Sequence, residues 1–433
     1  MEGALKLASP PVTSFETLGL HPLILRAVRE VGYTEPTPIQ SAAIPHLLAG
    51  TDIIGIAQTG TGKTAAFTLP MLNRLTDHTP ERRSTRALIL APTRELVIQI
   101  QENIVAYARH LPLRVATVIG GVSESPQIDA LRQGADIIIA TPGRLLDLMA
   151  RRHGDFSGLK FLVLDEADRM LDMGFLPAIR DILRSLPVQR QTLLFSATLP
   201  REIEVLTRQI QRTPKTIQIG RRANPAETVT QRIYEIPRHL KLNLLAHLLQ
   251  DQKLSTVLVF SRTKHGADRV AKKLDQIGIR TATIHANRSQ NQRQRALSDF
   301  KSGDVRVLVA TDIAARGIDV EGISHVVNFD FPPHCEDYVH RIGRTGRAQS
   351  TGDAFSFATP EDKEAVWALE RFIGRSIPRG KADGFNYSAP DMTGAPQRPQ
   401  RPGSGAAPTR PSPPRNNPGR PQNRFKSPVS RRR

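Results

Sequence analysis

The sequence predicts an α/β protein with two domains, each built around a mostly parallel β-sheet. Short apolar runs such as Phe161–Leu164 have the composition of strands that are buried on both faces. Helical patterns lie between several of these runs. The runs fall into two sets, which a polar stretch without periodicity separates near residues 219–228. A length of 433 residues is enough for two domains and further segments.

Composition limits the class of protein. A formal net charge of +19 predicts an acidic partner, and nucleic acid is the first candidate. The single cysteine, Cys335, excludes a disulfide framework within the chain and a metal site made of clustered cysteines. The first residues contain no apolar segment typical of a secretory signal, and no run approaches the length of a membrane span. We therefore expect a soluble protein of a reducing compartment, the cytoplasm.

The segment from Gly32 to Gln40 contains two prolines, which fix its backbone just before a helical pattern that runs to Leu48. A glutamine side chain donates and accepts hydrogen bonds at once, so Gln40 is a candidate for recognising an adenine edge. Tyr33 is a candidate for stacking on the face of the same base. The alternative is that the prolines only stiffen the entry of a helix.

A strand-like run at residues 52–57 is followed by Gln58-Thr59-Gly60-Thr61-Gly62-Lys63-Thr64 and then by a helical pattern through Leu75. This strand–loop–helix context predicts a P-loop, in which glycines let backbone N–H groups close around phosphate oxygens at a helix N-terminus. Lys63 is predicted to reach the β and γ phosphates of a nucleotide, and the Thr64 hydroxyl to ligate Mg²⁺. Ala57 occupies the position of the usual first glycine.

The acidic residues Asp165, Glu166 and Asp168 directly follow the apolar run at 161–164. In open α/β sheets, ligands bind just outside the carboxyl ends of the strands. Carboxylates at a dry strand end need a cation partner, because an unpaired buried charge is costly. Mg²⁺ with a phosphate ligand fits this requirement. The simpler alternative is an acidic loop that caps a core strand.

Further strand-like runs end in short polar or glycine-rich sequences, which turn chemistry alone also produces. These runs are residues 87–91, 115–119, 137–140 and 192–195 in the first half and 257–260, 281–284, 305–310 and 325–328 in the second. Beyond them, Arg341, Arg344 and Arg347 recur at a fixed spacing. Guanidinium groups from a second domain would neutralise charge on a transferring phosphoryl group. The alternative is a basic helix face that meets nucleic acid or solvent.

The composition changes again from about Arg379. Residues 392–433 contain nine arginines and one lysine but no acidic residue. Apolar side chains here are too few to offset the entropy of ordering, so residues 379–433 are predicted to form a disordered Pro/Arg-rich basic tail. The tail either binds nucleic acid electrostatically or only solubilises the chain. The predicted domains are residues 1–218 and 229–378, joined by a linker at 219–228.

Ten motifs in a fixed order make the chain resemble the DEAD-box ATP-dependent RNA helicases. They are the Q-motif at 32–40 with Phe15 upstream, AQTGTGKT (57–64), PTREL (92–96), Gly120-Gly121, TPGR (141–144), DEAD (165–168), SAT (196–198), VFSRT (259–263), ATDIAARGID (310–319) and HRIGRTGR (340–347). The resemblance spans about residues 15–375. The sequences DEADRMLDMGF and DFKSG resemble the bacterial RhlE-like subgroup. One departure is Ala286, where the family often has glycine; Gln290 and Arg293 follow it.

The resemblance implies two RecA-like domains, with ATP in the cleft between them and RNA across both. It implies that Asp165 holds Mg²⁺ through water and that Glu166 orients and deprotonates the attacking water. The implied nucleotide-binding residues are Tyr33, Gln40, Ala57, Gln58, Thr59, Gly60, Thr61, Gly62, Lys63, Thr64 and, for the ribose, Asp319. The implied arginine fingers are Arg344 and Arg347, the coupling residues are Asp168, Ser196, Thr198 and His340, and the RNA path consists of Arg94, Gly121, Thr141, Gly143, Arg144, Arg262 and Thr311.

Together these roles imply an RNA-dependent ATPase that locally unwinds short RNA duplexes and remodels ribonucleoproteins. ATP and RNA would each favour domain closure and thereby each other's binding. The alternatives are a DNA helicase or translocase, which the Q-motif disfavours, and an RNA-binding or annealing module, which Lys63, Glu166 and Arg347 disfavour. Expected partners are single-stranded and short duplex RNA and ribosomal or RNA-degradation ribonucleoproteins, without a membrane. Ribosome assembly, RNA decay and cold adaptation stay open as settings.

Deleting residues 392–433 should weaken RNA binding without abolishing catalysis. For single strands, log affinity falls against log salt with a slope of about −0.7 per neutralised phosphate. If roughly half of the tail cations engage phosphates, the deletion should make this slope shallower by about 3 to 4. ATP turnover at saturating RNA should persist, since the implied catalytic residues lie upstream. A salt series of RNA binding and ATPase assays checks both points, and an unchanged slope would show that the tail is only solvated.

Overall fold

The computed structural model describes residues 14–57, 60–76, 84–219, 229–315, 320, 322–346 and 352–390. One compact unit spans Met1–Ala389, and a second spans Pro390–Arg433. Several predictions concern residues outside the described ranges, namely Gln58, Thr59, Asp319, Arg347, linker residues 220–228 and the tail from residue 391.

Within the described ranges, the strands form two seven-stranded sheets in which every paired strand is parallel to its neighbour. The first sheet contains β1 (Ile53–Ile56), β2 (Ala87–Leu90), β3 (Val115–Val118), β4 (Ile137–Ala140), β5 (Phe161–Leu164), β6 (Gln191–Ser196) and β7 (Lys215–Gln218). The second contains β8 (Val229–Glu235), β9 (Val257–Phe260), β10 (Thr281–Ile284), β11 (Val307–Ala310), β12 (His325–Asn328), β13 (Gly352–Ala358) and β14 (Arg379–Gly380). The predicted fold class is confirmed.

Helices surround both sheets. In the first half they are α1 (Pro22–Glu30), α2 (Pro38–Leu48), α3 (Lys63–Thr76), α4 (Arg94–Tyr107), α5 (Ser125–Arg132), α6 (Pro142–Ala150), α7 (Ala167–Asp172), α8 (Leu176–Arg184) and α9 (Arg201–Ile210). In the second half they are α10 (Lys241–Leu248), α11 (Lys264–Gln276), α12 (Gln290–Lys301), α13 (Asp312–Ala315), α14 (Cys335–Ile342) and α15 (Lys363–Ile373). Short 3₁₀ helices lie at Phe15–Leu18, Arg238–Leu240 and Pro360–Asp362. No helix among the described residues is long and apolar enough to cross a membrane.

Alternate residues of each central strand enter different hydrophobic clusters. In β5, for example, Phe161 and Val163 pack with residues of α2, α3 and α4, whereas Leu162 and Leu164 pack with residues of α6 and α8. Both faces of the sheet are therefore covered, and every position of β2, β4 and β5 is buried. This explains why these strands appear in the sequence as unbroken apolar runs.

The order of the first sheet is β3-β4-β2-β5-β6-β1-β7, and that of the second is β10-β11-β9-β12-β13-β8-β14. Strands β1 and β5, which precede the predicted P-loop and the D-E-A-D sequence, are both interior and lie on either side of β6. Because all strands of the first sheet are parallel, their carboxyl ends share one edge. The sequences that follow β1, β2, β4, β5 and β6 therefore converge there.

The predicted boundary of the second domain at residue 378 is wrong. Arg379 and Gly380 form β14, which pairs with Ile233 and Tyr234 of β8 and extends the second sheet. The Glu370 carboxylate holds Arg379 by an ion pair and accepts a hydrogen bond from the backbone N–H of Ile377 at 2.7 Å. These contacts place residues 379–380 within the fold, although their polar composition resembles that of the tail.

Residues 381–389 also pack against the second domain. The Phe385 ring lies 5.5 Å from His247 of α10 and 5.0 Å from Tyr387, centroid to centroid. The Tyr387 hydroxyl accepts a hydrogen bond from the backbone N–H of Ala382 at 2.8 Å. Phe385 and Tyr387 add apolar surface to the cluster under α10. The predicted tail therefore begins about ten residues too early.

Replacing Phe385 and Tyr387 together by alanine should destabilise the second domain. Burying a large side chain fully contributes about 1.5–3 kcal/mol, and both rings are half-buried, so the pair should cost roughly 2–3 kcal/mol. We expect the midpoint temperature of thermal unfolding to fall by roughly 4–10 °C. Lys381→Ala, at an exposed position in the same segment, is the matched control. An unchanged transition in the double variant would show that the segment does not stabilise the fold.

Candidate functional site

The predicted P-loop lies between β1 and α3. Gly60 and Gly62 have positive φ angles of 80° and 87°, which favour glycine over other residues. Lys63, the first residue of α3, is buried and donates from Nζ to the carbonyl oxygen of Ala57 at 2.5 Å. Ala57 has no positive φ, and its N–H donates to Ser196 O at 3.0 Å. Alanine thus fits where the usual P-loop has glycine.

Gln40 is buried against this loop. Its Nε2 donates to Gly62 O at 3.1 Å, and its Oε1 accepts from the Thr37 backbone N–H at 2.9 Å, which caps α2. A Cβ atom at Gly62 would lie only 2.5 Å from Gln40 Nε2. The structure therefore places Gln40 beside the P-loop, and its role with adenine stays a prediction.

Tyr33 lies at the edge of the same region. Its hydroxyl is 2.9 Å from the Tyr107 hydroxyl, and its ring is stacked near Phe15 at 6.3 Å between centroids. About a third of the residue (36%) is exposed, so one part of the ring meets solvent. Its stacking on adenine stays a prediction.

The carboxylates after β5 are deeply buried. Burial raises the pKa of Asp165 to about 7, and although the Lys63 charge acts in the opposite direction, the Glu166 charge adds to the increase. Burial also lowers the pKa of Lys63, against the attraction of Asp165. Glu166 is the N-cap residue of α7. Its φ of 51° lies in the left-handed region, which residues other than glycine rarely adopt. A backbone held in this region is typical of functional sites.

Arg169 is a member of the site that sequence reasoning missed. It is 2% exposed, and its guanidinium donates from Nη1 to Glu166 Oε2 at 2.8 Å. The spacing of the two residues could have indicated this contact. Arg169 follows Glu166 by three residues, and residues three apart on a helix lie on the same side of it. The sequence does not indicate that this arginine is buried.

The Asp168 carboxylate links α7 to the end of β6. Its Oδ2 accepts hydrogen bonds from Ala197 N at 3.1 Å, from Thr198 N at 2.8 Å and from Thr198 Oγ1 at 3.0 Å. The Ser196 hydroxyl oxygen accepts from Asp168 N at 3.1 Å. Ser196 and Thr198 are therefore brought together with Asp168, as the coupling assignment requires.

The second domain reaches this cluster through α14. Burial lowers the pKa of the His340 imidazole to about 4, the Arg169 charge adds to this effect, and Asp168 opposes it. His340 and Asp168 are thus close enough to interact electrostatically across the domains. Arg344 is also buried, and the charge of Arg344 acts on His340.

Arg341 differs from the expectation of an exposed basic helix face. It is 2% exposed and donates to both carboxylate oxygens of Asp312 at 2.6 and 2.7 Å. It also donates to Asn328 Oδ1 at 3.1 Å, and its guanidinium lies 5.0 Å from the Phe260 ring centroid. Arg341 therefore fixes α14 to the sheet, whereas Arg344 follows the end of that helix.

The implied RNA-path residues of the first domain gather at the ends of β2, β3 and β4. The Arg94 guanidinium lies directly over Gly120-Gly121, so that a Cβ atom at Gly121 would overlap it. Arg144 Nη1 donates to Val122 O at 3.4 Å. Thr141 N donates to Val118 O at 3.0 Å, and Gly143 lies in the first turn of α6.

In the second domain, Arg262 is largely exposed at the end of β9. Its backbone N–H donates to Asp330 Oδ2 at 2.8 Å, and its guanidinium donates to Phe331 O at 3.1 Å. Thr311 follows β11, and its N–H donates to Ile284 O at 3.2 Å. Ala286 needs no positive φ, so the departure from glycine is sterically tolerated.

The two domains also meet at Glu95, the residue after Arg94. Its Oε1 accepts from Gln290 Nε2 and from Arg293 Nη2, each at 3.1 Å. All three side chains are largely buried. This contact joins the region around Arg94 in the first domain to α12 of the second domain.

These features define a P-loop protein with two parallel α/β domains, in which one domain supplies phosphate-binding and acidic groups and the other adds basic groups. The family "DEAD/DEAH box helicase" matches residues 37–206, and "Helicase conserved C-terminal domain" matches residues 240–349. The chain belongs to the DEAD/DEAH box helicase family.

Relatives extend this comparison. The chain is 44% identical over 377 residues to DEAD-box ATP-dependent RNA helicase 30 of Arabidopsis thaliana. It is 43% identical over 367 residues to ATP-dependent RNA helicase DeaD of Mycobacterium tuberculosis. These alignments cover 85% and 84% of this chain but only 64% of the length of either relative.

Among solved structures, the chain is similar to S. cerevisiae Dbp5 bound to RNA and ADP BeF3. The TM-score is 0.77 at 32% identity, and the match covers 85% of this chain and 95% of the other. The RecA-like fold expected from the motifs is confirmed.

Gly121→Ala should weaken RNA binding by displacing Arg94. Losing one charge-assisted hydrogen bond to phosphate costs about 1.5 kcal/mol or more, so we expect roughly tenfold lower affinity. Gly174→Ala is the matched control, because Gly174 has nearly the same φ (75° against 76°) but no atom within 4 Å of an added Cβ. Fluorescence anisotropy with labelled RNA checks this. Equal affinity of the two variants would remove Arg94 and Gly121 from the RNA path.

Proposed function

We propose that this protein is an RNA-dependent ATPase that couples ATP hydrolysis to local unwinding of short RNA duplexes and to remodelling of ribonucleoproteins. The observation that carries the proposal is the burial of Lys63, Asp165, Glu166 and Asp168 at one sheet edge, where His340 of the second domain acts on Asp168. Neither domain contains all of these groups. The site is therefore complete only when the domains meet.

ATP fits the first-domain edge. The backbone of the P-loop, from Ala57 through Thr64, would surround the phosphates, with Lys63 moving from the Ala57 carbonyl to the β and γ phosphates. We assign adenine binding to Gln40, which contacts the loop at Gly62, and to the Tyr33 ring. Asp319, outside the described residues, is proposed to contact the ribose by family resemblance.

A Mg²⁺ ion fits the donor set of Asp165 and Thr64. Burial raises the pKa of the Asp165 carboxyl, and the Lys63 charge opposes this increase only in part. Among the described residues, no group of three or more His, Cys, Asp or Glu side chains is arranged to hold a metal ion by itself. Phosphate oxygens and water would complete the coordination, which is the usual arrangement for this ion. When bound, the ion supplies charge neutralisation to the phosphates.

Hydrolysis then requires a base and further cations. A water oxygen attacks the γ-phosphorus, its proton passes to a carboxylate oxygen of Glu166, and the bond to the β–γ bridging oxygen breaks to release ADP. Arg169 holds the Glu166 carboxylate in one orientation by the hydrogen bond at 2.8 Å. Arg344 and Arg347 are proposed as the fingers that stabilise negative charge on the transferring group.

Coupling to RNA follows from the same geometry. The Asp168 carboxylate contacts Ala197 and Thr198 and interacts with His340, so a shift at the nucleotide is transmitted to both. RNA would lie over Arg94, Gly121, Thr141, Gly143 and Arg144 of one domain and over Arg262 and Thr311 of the other. Both ligands then favour closure and increase each other's affinity. Arginines and exposed backbone suit sugar–phosphate contacts and give little base recognition.

The finer assignments are further proposals. The sequences DEADRMLDMGF and DFKSG support placement near the RhlE-like subgroup. The single cysteine, which leaves no disulfide framework within the chain, supports a cytoplasmic site of action. Ribosomal or RNA-degradation ribonucleoproteins are the proposed settings, and sequencing of crosslinked RNA from the native cell would discriminate between them.

Glu166→Gln should abolish the base while keeping the size of the side chain. We expect ATP and RNA to bind while turnover falls by about two to four orders of magnitude. The exposed Glu202→Gln in the same domain is the charge-matched control and should retain wild-type turnover. Thermal unfolding should accompany the assay, because the substitution leaves buried Arg169 without its carboxylate partner. Near-normal ATPase activity in a folded Glu166→Gln protein would refute the mechanism.

A further inference from the structure

Helix α15 exposes two large aromatic side chains that the ATP site and the proposed RNA path do not use. Trp367, the single tryptophan of the chain, is 62% exposed, and Phe372 is 54% exposed. Isolated exposed apolar residues are ordinary. Two aromatic residues on one helix are a larger apolar surface, and they require an explanation beyond packing, since Val366 and Leu369 already anchor α15 in the core.

The exposed face of α15 also contains cations. At 100° per residue, Trp367, Ala368, Arg371 and Phe372 lie within roughly 140° of one another, opposite Val366 and Leu369. The Arg371 guanidinium lies 4.8 Å from the centroid of the Trp367 ring. Arg375 follows just after the Gly374 cap and is exposed. We call Trp367, Arg371, Phe372 and Arg375 the α15 patch.

The charges at the other end of α15 are balanced. Glu361, Asp362 and Glu364 are acidic, while Arg238, Arg262 and Lys363 are basic, and the charge of Arg238 acts on Glu361. The C-terminal half of the helix contributes Arg371, with Arg375 just beyond it, and the Glu370 carboxylate in this half is paired with Arg379. Aromatic rings beside guanidinium groups are the combination that binds unpaired nucleotides, by base stacking and phosphate contact.

The α15 patch is continuous with the proposed RNA path. The Arg262 guanidinium lies 3.8 Å from the carboxylate of Asp362, which is the N-cap of α15. From Asp362, Trp367 is about 8 Å and Phe372 about 15 Å along the helix axis. Helical side chains lean towards the N-terminus of their helix, which for Trp367 is the direction of Arg262. A strand that contacts Arg262 is thus a few nucleotides from the patch.

We propose that the α15 patch is a second RNA-contact site, at which Trp367 and Phe372 stack on unpaired bases of the strand that leaves the core path and Arg371 and Arg375 hold its phosphates. The basic tail is a poor occupant, because residues 392–433 contain ten cations and no anion and would repel both arginines. The inference rests on the proposed function, in that it takes RNA as the substrate. It goes further by assigning RNA contacts outside the motifs.

Because Trp367 is the only tryptophan, its fluorescence reports this patch alone in the full-length protein. Oligoadenylates of increasing length first give the shortest RNA that fully stimulates ATPase activity, which defines the core path. We expect this RNA to leave the indole emission nearly unchanged. RNAs extended at one end, tested in both polarities, should quench it. An extension of equal length made of abasic residues has the same phosphates but nothing to stack, and it should not quench.

Substitutions give an independent readout. Trp367→Ala should weaken binding of the extended RNA by roughly 5- to 10-fold, at the lower end of base–aromatic stacking, while the shortest RNA binds as before. Trp367→Phe should retain most of the affinity. Arg371→Gln should make the salt slope for extended RNA shallower by about 0.7. Ile277→Ala, which removes a side chain of similar exposure (57%) in the same domain, is the matched control and should change none of these quantities.

The outcomes separate this inference from the function on which it rests. If RNA neither binds nor stimulates ATP turnover, the proposed function fails. If RNA binds and stimulates while the indole emission and the affinity of Trp367→Ala stay unchanged, only the α15 patch is refuted. Equal quenching by the abasic extension would refute base stacking.

Discussion

The burial of charge at the carboxyl edge of the first sheet is the constraint on which the site depends. Lys63 and Arg169 face Asp165, Glu166 and Asp168, and each of these five residues is less than a tenth exposed. Two cations against three carboxylates leave one negative charge without compensation. Burial raises the pKa of Asp165 to about 7, whereas the interactions of Asp168 with His340, Arg169 and the Thr198 N–H outweigh burial and lower the pKa of Asp168. A site with this imbalance favours the further positive charge that the proposed Mg²⁺ supplies.

The fold makes such a cluster possible because parallel apolar strands end at the same edge of the sheet, where the polar loops that follow them lie close together. Strands β1, β5 and β6 are adjacent and parallel, so Lys63, Asp165 and Ser196 are brought together from positions far apart in the chain. The hydrogen bonds from Ala197 and Thr198 to Asp168 then fix two of these loops to each other. Removing the Asp168 carboxylate would take this acceptor from the N–H groups of Arg169, Ala197 and Thr198 and from the Thr198 hydroxyl, so the residue has a structural role besides its proposed role in coupling.

Sequence reasoning found the strands whose burial on both faces produces unbroken apolar runs, and it found the loops whose residue types follow from phosphate chemistry. It missed β7, β8, β13 and β14. Strand β8 alternates buried and exposed residues, and β7 is mostly exposed at the sheet edge, so neither has an apolar run. Strand β14 has two residues, and only its pairing with β8 identifies it. The burial of Arg169 and Arg341 could not be predicted from the sequence either. A guanidinium is buried only where tertiary structure supplies a carboxylate partner, and these partners are Glu166 and Asp312.

The contact at Glu95 joins the two domains but leaves two buried polar atoms unsatisfied. Glu95 accepts from both Gln290 and Arg293, but Gln290 Oε1 and Arg293 Nε are buried without a hydrogen-bond partner. Each unsatisfied buried atom costs about 1–3 kcal/mol, which offsets much of what the ion pair contributes. This contact is therefore weak by itself, and in the proposed mechanism bound ATP and RNA would add to the association of the domains. A contact of this kind suits the proposed cycle, in which the domains open after each turnover, since a fully satisfied contact would hold them closed after hydrolysis.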